Sequence, residues 1–197
     1  MNDTYKTIRK ANIGEGFYSE KRSKFLAFAH HVESVEEAME LVKEYRKKYY
    51  DARHCCYAYR LGVEGKDFRM NDDGEPSSTA GKPILGQIVS AELTDVFICV
   101  IRYYGGVNLG TGGLIVAYRE AAADALRNVE VEEKFVEEII DFSFSYPMMN
   151  DVMKIVKEMN PRIIHQQFDN TCEMRFAIRK SAAEILRKRL NSLAFGE

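Results

Sequence analysis

The chain has no excess of charge of either sign. Its 197 residues carry 28 Lys and Arg against 30 Asp and Glu, a formal net charge of −2. A cut at Val129 leaves 18 basic and 18 acidic residues before it and 10 against 12 after it. Neither part has the basic balance of a dedicated nucleic-acid binder, so any such binding must come from a local patch. No apolar run reaches membrane-spanning length, and the start, Met1-Asn2-Asp3-Thr4-Tyr5-Lys6, has no apolar leader region. Cysteine is scarce: four residues at 55, 56, 99 and 172, with no C-x-x-C spacing. That argues against a disulfide framework or a structural zinc site. A reduced, cytoplasmic protein with no membrane partner is expected. What the chain does have is 46% hydrophobic residues, enough for a real core. Its length suits one large domain or two small ones.

Glycine is concentrated in one place. An apolar run, Val96–Ile101, ends at Arg102-Tyr103-Tyr104, and Gly105, Gly106, Gly110, Gly112 and Gly113 then lead into a helical pattern over 114–127. Glycine is costly in conformational entropy, so such a cluster between strand and helix needs a reason. The reasons available are positive φ, close approach of a ligand, or bare N–H groups aimed at an anion. No Gly-Lys-[Ser/Thr] follows and the G-x-G-x-x-G order is missing, which excludes a Walker loop and a dinucleotide fingerprint. Two readings stay open: an anion cradle, or a tight crossover whose glycines only permit packing.

The rest of the first part has mixed α/β patterning. Strands are expected over 8–14 and Lys24–Val32, with a polar Ser19–Ser23 turn. Ser34-x-x-Glu37 is a capping box for a helix to about Tyr49, with Val35, Ala38, Val42, Tyr45 and Tyr49 on one face. Arg53–Leu61 alternates as a strand with Cys55, Tyr57, Tyr59 and Leu61 on one side, and a Gly62–Lys66 turn returns Asp67–Met70. Pro83 suits the first turn of a helix carrying Ile84, Leu85, Ile88 and Val89. Acidic Asn128–Glu138 marks the domain boundary. Beyond it the pattern is β-α-β-β-α. A strand through Ile140, Phe142, Phe144 and Tyr146 precedes a helix with Met149, Val152, Met153 and Val156 inward. Strands Arg162–Phe168 and Thr171–Ile178 are joined by Asp169-Asn170. Ser181-x-x-Glu184 caps a last helix with Ile185, Leu186 and Leu193 inward. This order is ferredoxin-like, and only Ala194–Glu197 remains for its fourth strand.

Several residues are placed to do chemistry. Arg102, ending a buried strand, suits bidentate contact with phosphate or carboxylate, or a structural pairing with Asp72, Asp73 or Glu75. Tyr103 and Tyr104 would stack on bases or pack in the core. The loop Asn71–Thr79 groups Asp72, Asp73 and Glu75 with hydroxyls, a set that can hold a divalent ion or act as acid and base but is equally common in surface turns. His54 and Cys56 share a strand face; a structural histidine beside packed cysteines is the reading taken.

These stretches together resemble the YigZ/YvyE family of bacterial proteins, relatives of the amino-terminal module of eukaryotic IMPACT. The matching runs are Ser23-Lys24-Phe25, Ala52-Arg53-His54, Tyr57-Ala58-Tyr59-Arg60, Asp72-Asp73-Gly74-Glu75-Pro76, Thr79 through Leu85, and Arg102 through Gly106 with Leu109-Gly110. Ser78 departs from the pattern, which commonly has glycine there, so that loop is expected to be stiffer. The resemblance implies an α+β fold: an IMPACT-like domain over 1–130 with the left-handed β-α-β arrangement of GHMP kinases and elongation factor G domain IV, then a ferredoxin-like α/β-sandwich domain over 131–197. It brings no catalytic mechanism and no cofactor, and shared fold is a weak warrant for function. A translation-control role is implied through the eukaryotic relative. The leading expectation is a non-enzymatic module binding RNA or a ribosomal particle, using Arg102, Tyr103, Tyr104, Gly105, Gly106, Gly110, Gly112, Gly113, His54, Asp73 and Glu75. The rival is an enzyme acting on a phosphorylated small molecule through the Asp72–Glu75 loop and the 105–113 segment.

Overall fold

The computed structural model describes residues 3–169 and 171–194. Residues 5–134 form one compact unit; Asp3, Thr4 and the described residues from Phe135 onward form a second.

The first unit runs β1 (Thr4–Ile8), β2 (Gly14–Glu20), β3 (Ser23–His31), α1 (Val35–Lys48), β4 (His54–Leu61), β5 (Asp67–Asn71), α2 (Gly81–Ser90), β6 (Val96–Tyr103), α3 (Gly110–Arg127) and β7 (Val131–Phe135). Strands β2-β3-β6-β4-β5, in that order, make one sheet, and β1 pairs with β7 separately. Every neighbouring pair in the five-stranded sheet is antiparallel. Strands β3 and β4 flank β6 and are both antiparallel to it, so they run parallel to each other. Helix α1 joins them in a split β-α-β crossover.

The apolar run of β6 is explained by this position. Phe97, Cys99 and Ile101 face a core shared with Ala38, Val42 and Tyr45 of α1. Val96, Ile98 and Val100 face a second core with Ile84 and Ile88 of α2 and Ala117 and Tyr118 of α3. A strand covered on both sides needs no polar alternation. Helix α1 starts where its capping box predicts: the Glu37 N–H donates to Ser34 Oγ at 3.2 Å, and the Glu37 side chain accepts from the Glu33 N–H at 2.8 Å.

Three local expectations fail. Residues 9–13 are a turn between β1 and β2 rather than strand. The next hairpin turns on Lys21 and Arg22 alone, both at positive φ (45° and 64°), so β2 runs on through Ser19 and Glu20. Helix α3 begins at Gly110, four residues before the pattern that predicted it.

The second unit comprises β8 (Glu137–Phe144), a 3₁₀ turn (Tyr146–Met148), α4 (Met149–Met159), β9 (Arg162–Phe168), β10 (Cys172–Arg179) and α5 (Lys180–Ala194). Sheet order β8-β10-β9, all antiparallel, is the ferredoxin-like order for the first three strands. The core packs Val152, Ile155 and Val156 of α4 and Ala183, Leu186 and Leu190 of α5 against Ile140, Phe142, Met174 and Phe176. Met153 and Ile185, expected inward, are exposed, because Ile155 and Leu190 occupy the sheet-facing stripe. Ser181 lies inside α5 rather than capping it. The Asp169-Asn170 turn and the tail after Ala194, where a fourth strand was sought, include positions outside the described residues. Both units are thus α+β, as the resemblance implies.

Candidate functional site

The site is built by strand register. Strands β4 and β6 pair with His54 opposite Arg102, and β3 brings Phe25 opposite Arg102 from the other side. The Arg53 N–H donates to the Arg102 carbonyl at 3.0 Å. The chain then leaves β6 and doubles back to start α3. At Gly105 a Cβ would lie 2.2 Å from the Arg22 carbonyl carbon, and its N–H donates to Ser23 Oγ at 3.1 Å. Only glycine fits there. Gly110 opens α3 at φ 72°.

Between these elements lies a cavity of about 480 Å³, lined by Arg53, His54, Glu75, Arg102, Tyr104 and the start of α3 at Gly110 and Thr111. Its wall is a buried charged network. Arg102, 5% exposed, donates from Nη1 to Glu75 Oε1 at 2.6 Å. The Tyr118 hydroxyl donates to the same oxygen at 2.7 Å. His54 donates from Nδ1 to the Asp73 carbonyl at 2.7 Å, which turns Nε2 toward Glu75 Oε1, 3.7 Å away. The Arg102 guanidinium sits over the Phe25 and Tyr104 rings, 5.5 and 5.4 Å from their centroids. Its Nε is buried without a partner. Desolvating such a pair is expensive and is offset only when geometry and extra hydrogen bonds are good. Tyr118 supplies the extra donor. Burial pushes the Tyr118 phenol and the Cys56 thiol well up, so both keep their protons. The Cys56 thiol donates to the Asp72 carbonyl at 3.0 Å. Cys56 is a packed donor here, with no thiolate character.

The three loop carboxylates diverge. Asp72 Oδ1 accepts from the Ala80 and Gly81 N–H groups at 3.0 and 2.9 Å, and Oδ2 from Ser78 at 2.8 Å. Asp73 accepts from Arg46 Nη2 and from the Cys55 N–H, both at 2.7 Å. Only Glu75 reaches the cavity. Among the described residues no three His, Cys, Asp or Glu side chains are grouped to hold a metal ion.

Of the residues picked from the sequence, Arg102, Tyr104, His54, Glu75 and Gly110 line the cavity together. Tyr103 points to the other face of the sheet, packs beside the α1 core and donates to Asp51 Oδ1 at 2.9 Å. Asp73 is held away by Arg46, and its carbonyl alone meets the site. Gly105 is packed under Lys21–Ser23, and Gly106, at φ 84°, shapes the bend. Gly112 and Gly113 lie in the first turn of α3 and line an adjoining cavity of about 230 Å³. A Cβ on Gly112 would meet nothing within 4 Å, and its φ is not positive. Arg53, Asn108, Thr111 and Tyr118 also belong to the site and are not among the residues expected from the sequence. Arg53 had a signal, since it adjoins His54; Tyr118 sits in an Ala-rich helix with nothing to mark it.

Leu109, at the N-cap position of α3, offers no capping side chain. An uncapped helix start carries free N–H groups and a partial positive charge. Arg53 and Arg102 lie beside it, with Arg102 paired to Glu75.

Comparison with known proteins gives the same outline. Residues 21–126 match the sequence profile described as Impact N-terminal domain. The chain is 30% identical to an IMPACT family member of Haemophilus influenzae across 89% of its own length and 86% of the relative's. It is 34% identical to YvyE of Bacillus subtilis, covering 80% of this chain and 72% of that one. With YigZ of Escherichia coli the identity is 32% over 80% and 78%. A crystal structure described as that of a hypothetical protein aligns over the whole chain and 96% of its own, at 27% identity and a TM-score of 0.78. With a matched domain over more than half its residues and relatives alike along most of their length, the chain belongs to the IMPACT family.

Proposed function

We propose that this chain is a non-enzymatic cytoplasmic module that binds RNA or a ribosomal particle through the cavity at the start of α3, and so modulates translation. The observation that carries this reading is Arg102: a buried guanidinium with an unpartnered Nε, set beside an uncapped helix start and the exposed Arg53. Such a constellation favours a phosphate oxygen. Tyr104, 48% exposed, offers a ring for a base. The translational context comes from the resemblance to the eukaryotic relative. The division of labour we propose runs near residue 130, with the IMPACT-like part carrying the cavity. Among the described residues no helix is long and apolar enough to cross a membrane.

The test is sedimentation of the tagged protein from lysate through a sucrose gradient at low and high salt, beside Arg53→Ala. Arg53 is the variant of choice because it is exposed, whereas Arg102→Ala would strand a buried carboxylate. Salt-sensitive migration with ribosomal particles, weakened by Arg53→Ala, supports the reading. Protein that stays at the top of the gradient at both salts sinks it.

The rival, an enzyme on a phosphorylated small molecule, asked Asp73 or Glu75 to hold a divalent ion or act as base. Both carboxylates are engaged by arginines, and Asp72 is tied to the start of α2. A thermal-shift screen with nucleotides and sugar phosphates, with and without magnesium, checks it directly. A ligand at about a hundred times its Kd adds roughly 2.7 kcal/mol.

A further inference from the structure

We propose that the surface around the first turn of α3 is a track for three consecutive phosphates of a single-stranded nucleic acid, with Arg53, Lys82 and Lys21 as its cationic stations. It rests on the anion-binding reading of the Arg102 cavity and specifies the ligand.

Three cavities meet at this turn. The 480 Å³ cavity shares Thr111 with a second of about 440 Å³, lined by Ser77, Thr79, Lys82 and Ile115. It shares Leu109 with the third, of about 230 Å³, lined by Tyr18, Glu20, Lys21 and Gly112. Each holds one exposed Lys or Arg: Arg53, Lys82 and Lys21 respectively. Among the described residues none of the three has a carboxylate partner. Several other surface cations are paired: Arg9 with Glu130, Lys43 with Glu40, Arg127 with Asp124. Three exposed cations without an acidic partner thus stand around one helical turn.

Two further features point to a ligand. The Arg102 guanidinium, which lines the central cavity, keeps a buried Nε without a partner. Gly112 stands in a helix with open space where its Cβ would be. Glycine there costs about 1 kcal/mol against alanine, and neither packing nor φ requires it. A bare backbone there leaves room for a ligand to approach closely.

A mononucleotide would fill the central cavity and leave Lys21 and Lys82 idle. A strand running past Leu109 and Thr111 uses all three stations. A single strand is favoured over a duplex because Tyr104 needs an unstacked base and the three concavities wrap one helical turn.

The experiment is fluorescence anisotropy with labelled hexauridylate across a salt series, with UMP as the one-phosphate comparison. Three contacts on a single strand predict a slope of log K against log salt of about −2, and each of Lys21→Ala, Arg53→Ala and Lys82→Ala reduces it by about 0.7. UMP, which carries no condensed counterion atmosphere, binds with a much shallower slope than the hexamer. Gly112→Ala gives a protein that melts at higher temperature yet binds hexauridylate more weakly. If Lys21→Ala and Lys82→Ala leave the slope unchanged while Arg53→Ala reduces it, the track is wrong and the cavity reading stands. If hexauridylate fails to bind while particle sedimentation remains sensitive to Arg53→Ala, the single-strand ligand is wrong and the proposed function stands.

Discussion

Arg102 Nη1 meets Glu75 Oε1 at 2.6 Å, and neither side chain is more than 6% exposed. Removing one partner of such a pair costs about 3–5 kcal/mol, because a buried charge is left alone. Arg102→Ala should lose that much in urea denaturation. Arg102→Ala with Glu75→Leu should recover most of it. A single variant as stable as the parent would show that the pair is not buried in solution.

Tyr118→Phe removes the second donor to Glu75 Oε1 while keeping the ring. The cost of leaving that acceptor short is about 1–3 kcal/mol. The measurement is again denaturant unfolding, with an unchanged m-value expected. No loss of stability would mean that water replaces the hydroxyl.

Ser78 adopts φ 64°, a left-handed conformation that costs a non-glycine residue about 1–2 kcal/mol. Its N–H is fixed on Asp72 Oδ2 at 2.8 Å, so the loop cannot relax. Glycine gives back part of the gain as chain entropy, and Ser78→Gly should stabilise by about 0.5–1 kcal/mol. A lower melting temperature would contradict the strain. The departure from the family pattern noted in the sequence is thus a stability cost located at one φ angle.

His30 lies in the α1-side layer, 2.7 Å from the Tyr45 hydroxyl, and burial lowers its pKa from 6.5 to about 4. The unfolded chain therefore binds the extra proton first as pH falls. Stability from this group is full above about pH 6.5, declines through the window down to pH 4, and is flat below it. Discounted for its partial exposure, the loss is about 1–2 kcal/mol. Denaturation midpoints of the parent and His30→Gln across that window check it: the variant's midpoint should fall less steeply.

Much of the fold could be read from side-chain periodicity. The Ser34 box, the two-sided apolar run of β6 and the β-α-β-β-α pattern of the second unit each express a burial pattern that the sequence writes directly. The start of α3 could not be read so. Glycine signals a loop by propensity, and tertiary packing overrode that weak preference. Met153 and Ile185 failed because a helix stripe is only about 100° wide, and neighbours one step round the helix compete for it. At the site, Arg102, His54 and Glu75 could be nominated singly. Their convergence depended on the β4–β6 register, which sets His54 opposite Arg102 across 47 intervening positions that no local pattern specifies. Arg53 entered by the same route, and Tyr118 by the packing of α3 on the sheet.

Asp72 caps α2 from a distance, its carboxylate held by the N–H groups of Ala80 and Gly81. Two helices thus begin on the same side of the sheet, and they differ in one respect. The first carries its own anion, stoppered from within by a residue of the preceding loop. The second has no capping side chain, and Arg53, Lys82 and Lys21 line the cavities around it. Under the proposed function an incoming phosphate would meet one helix start already filled and one open, and the chain would fix where it docks by closing the competing address itself.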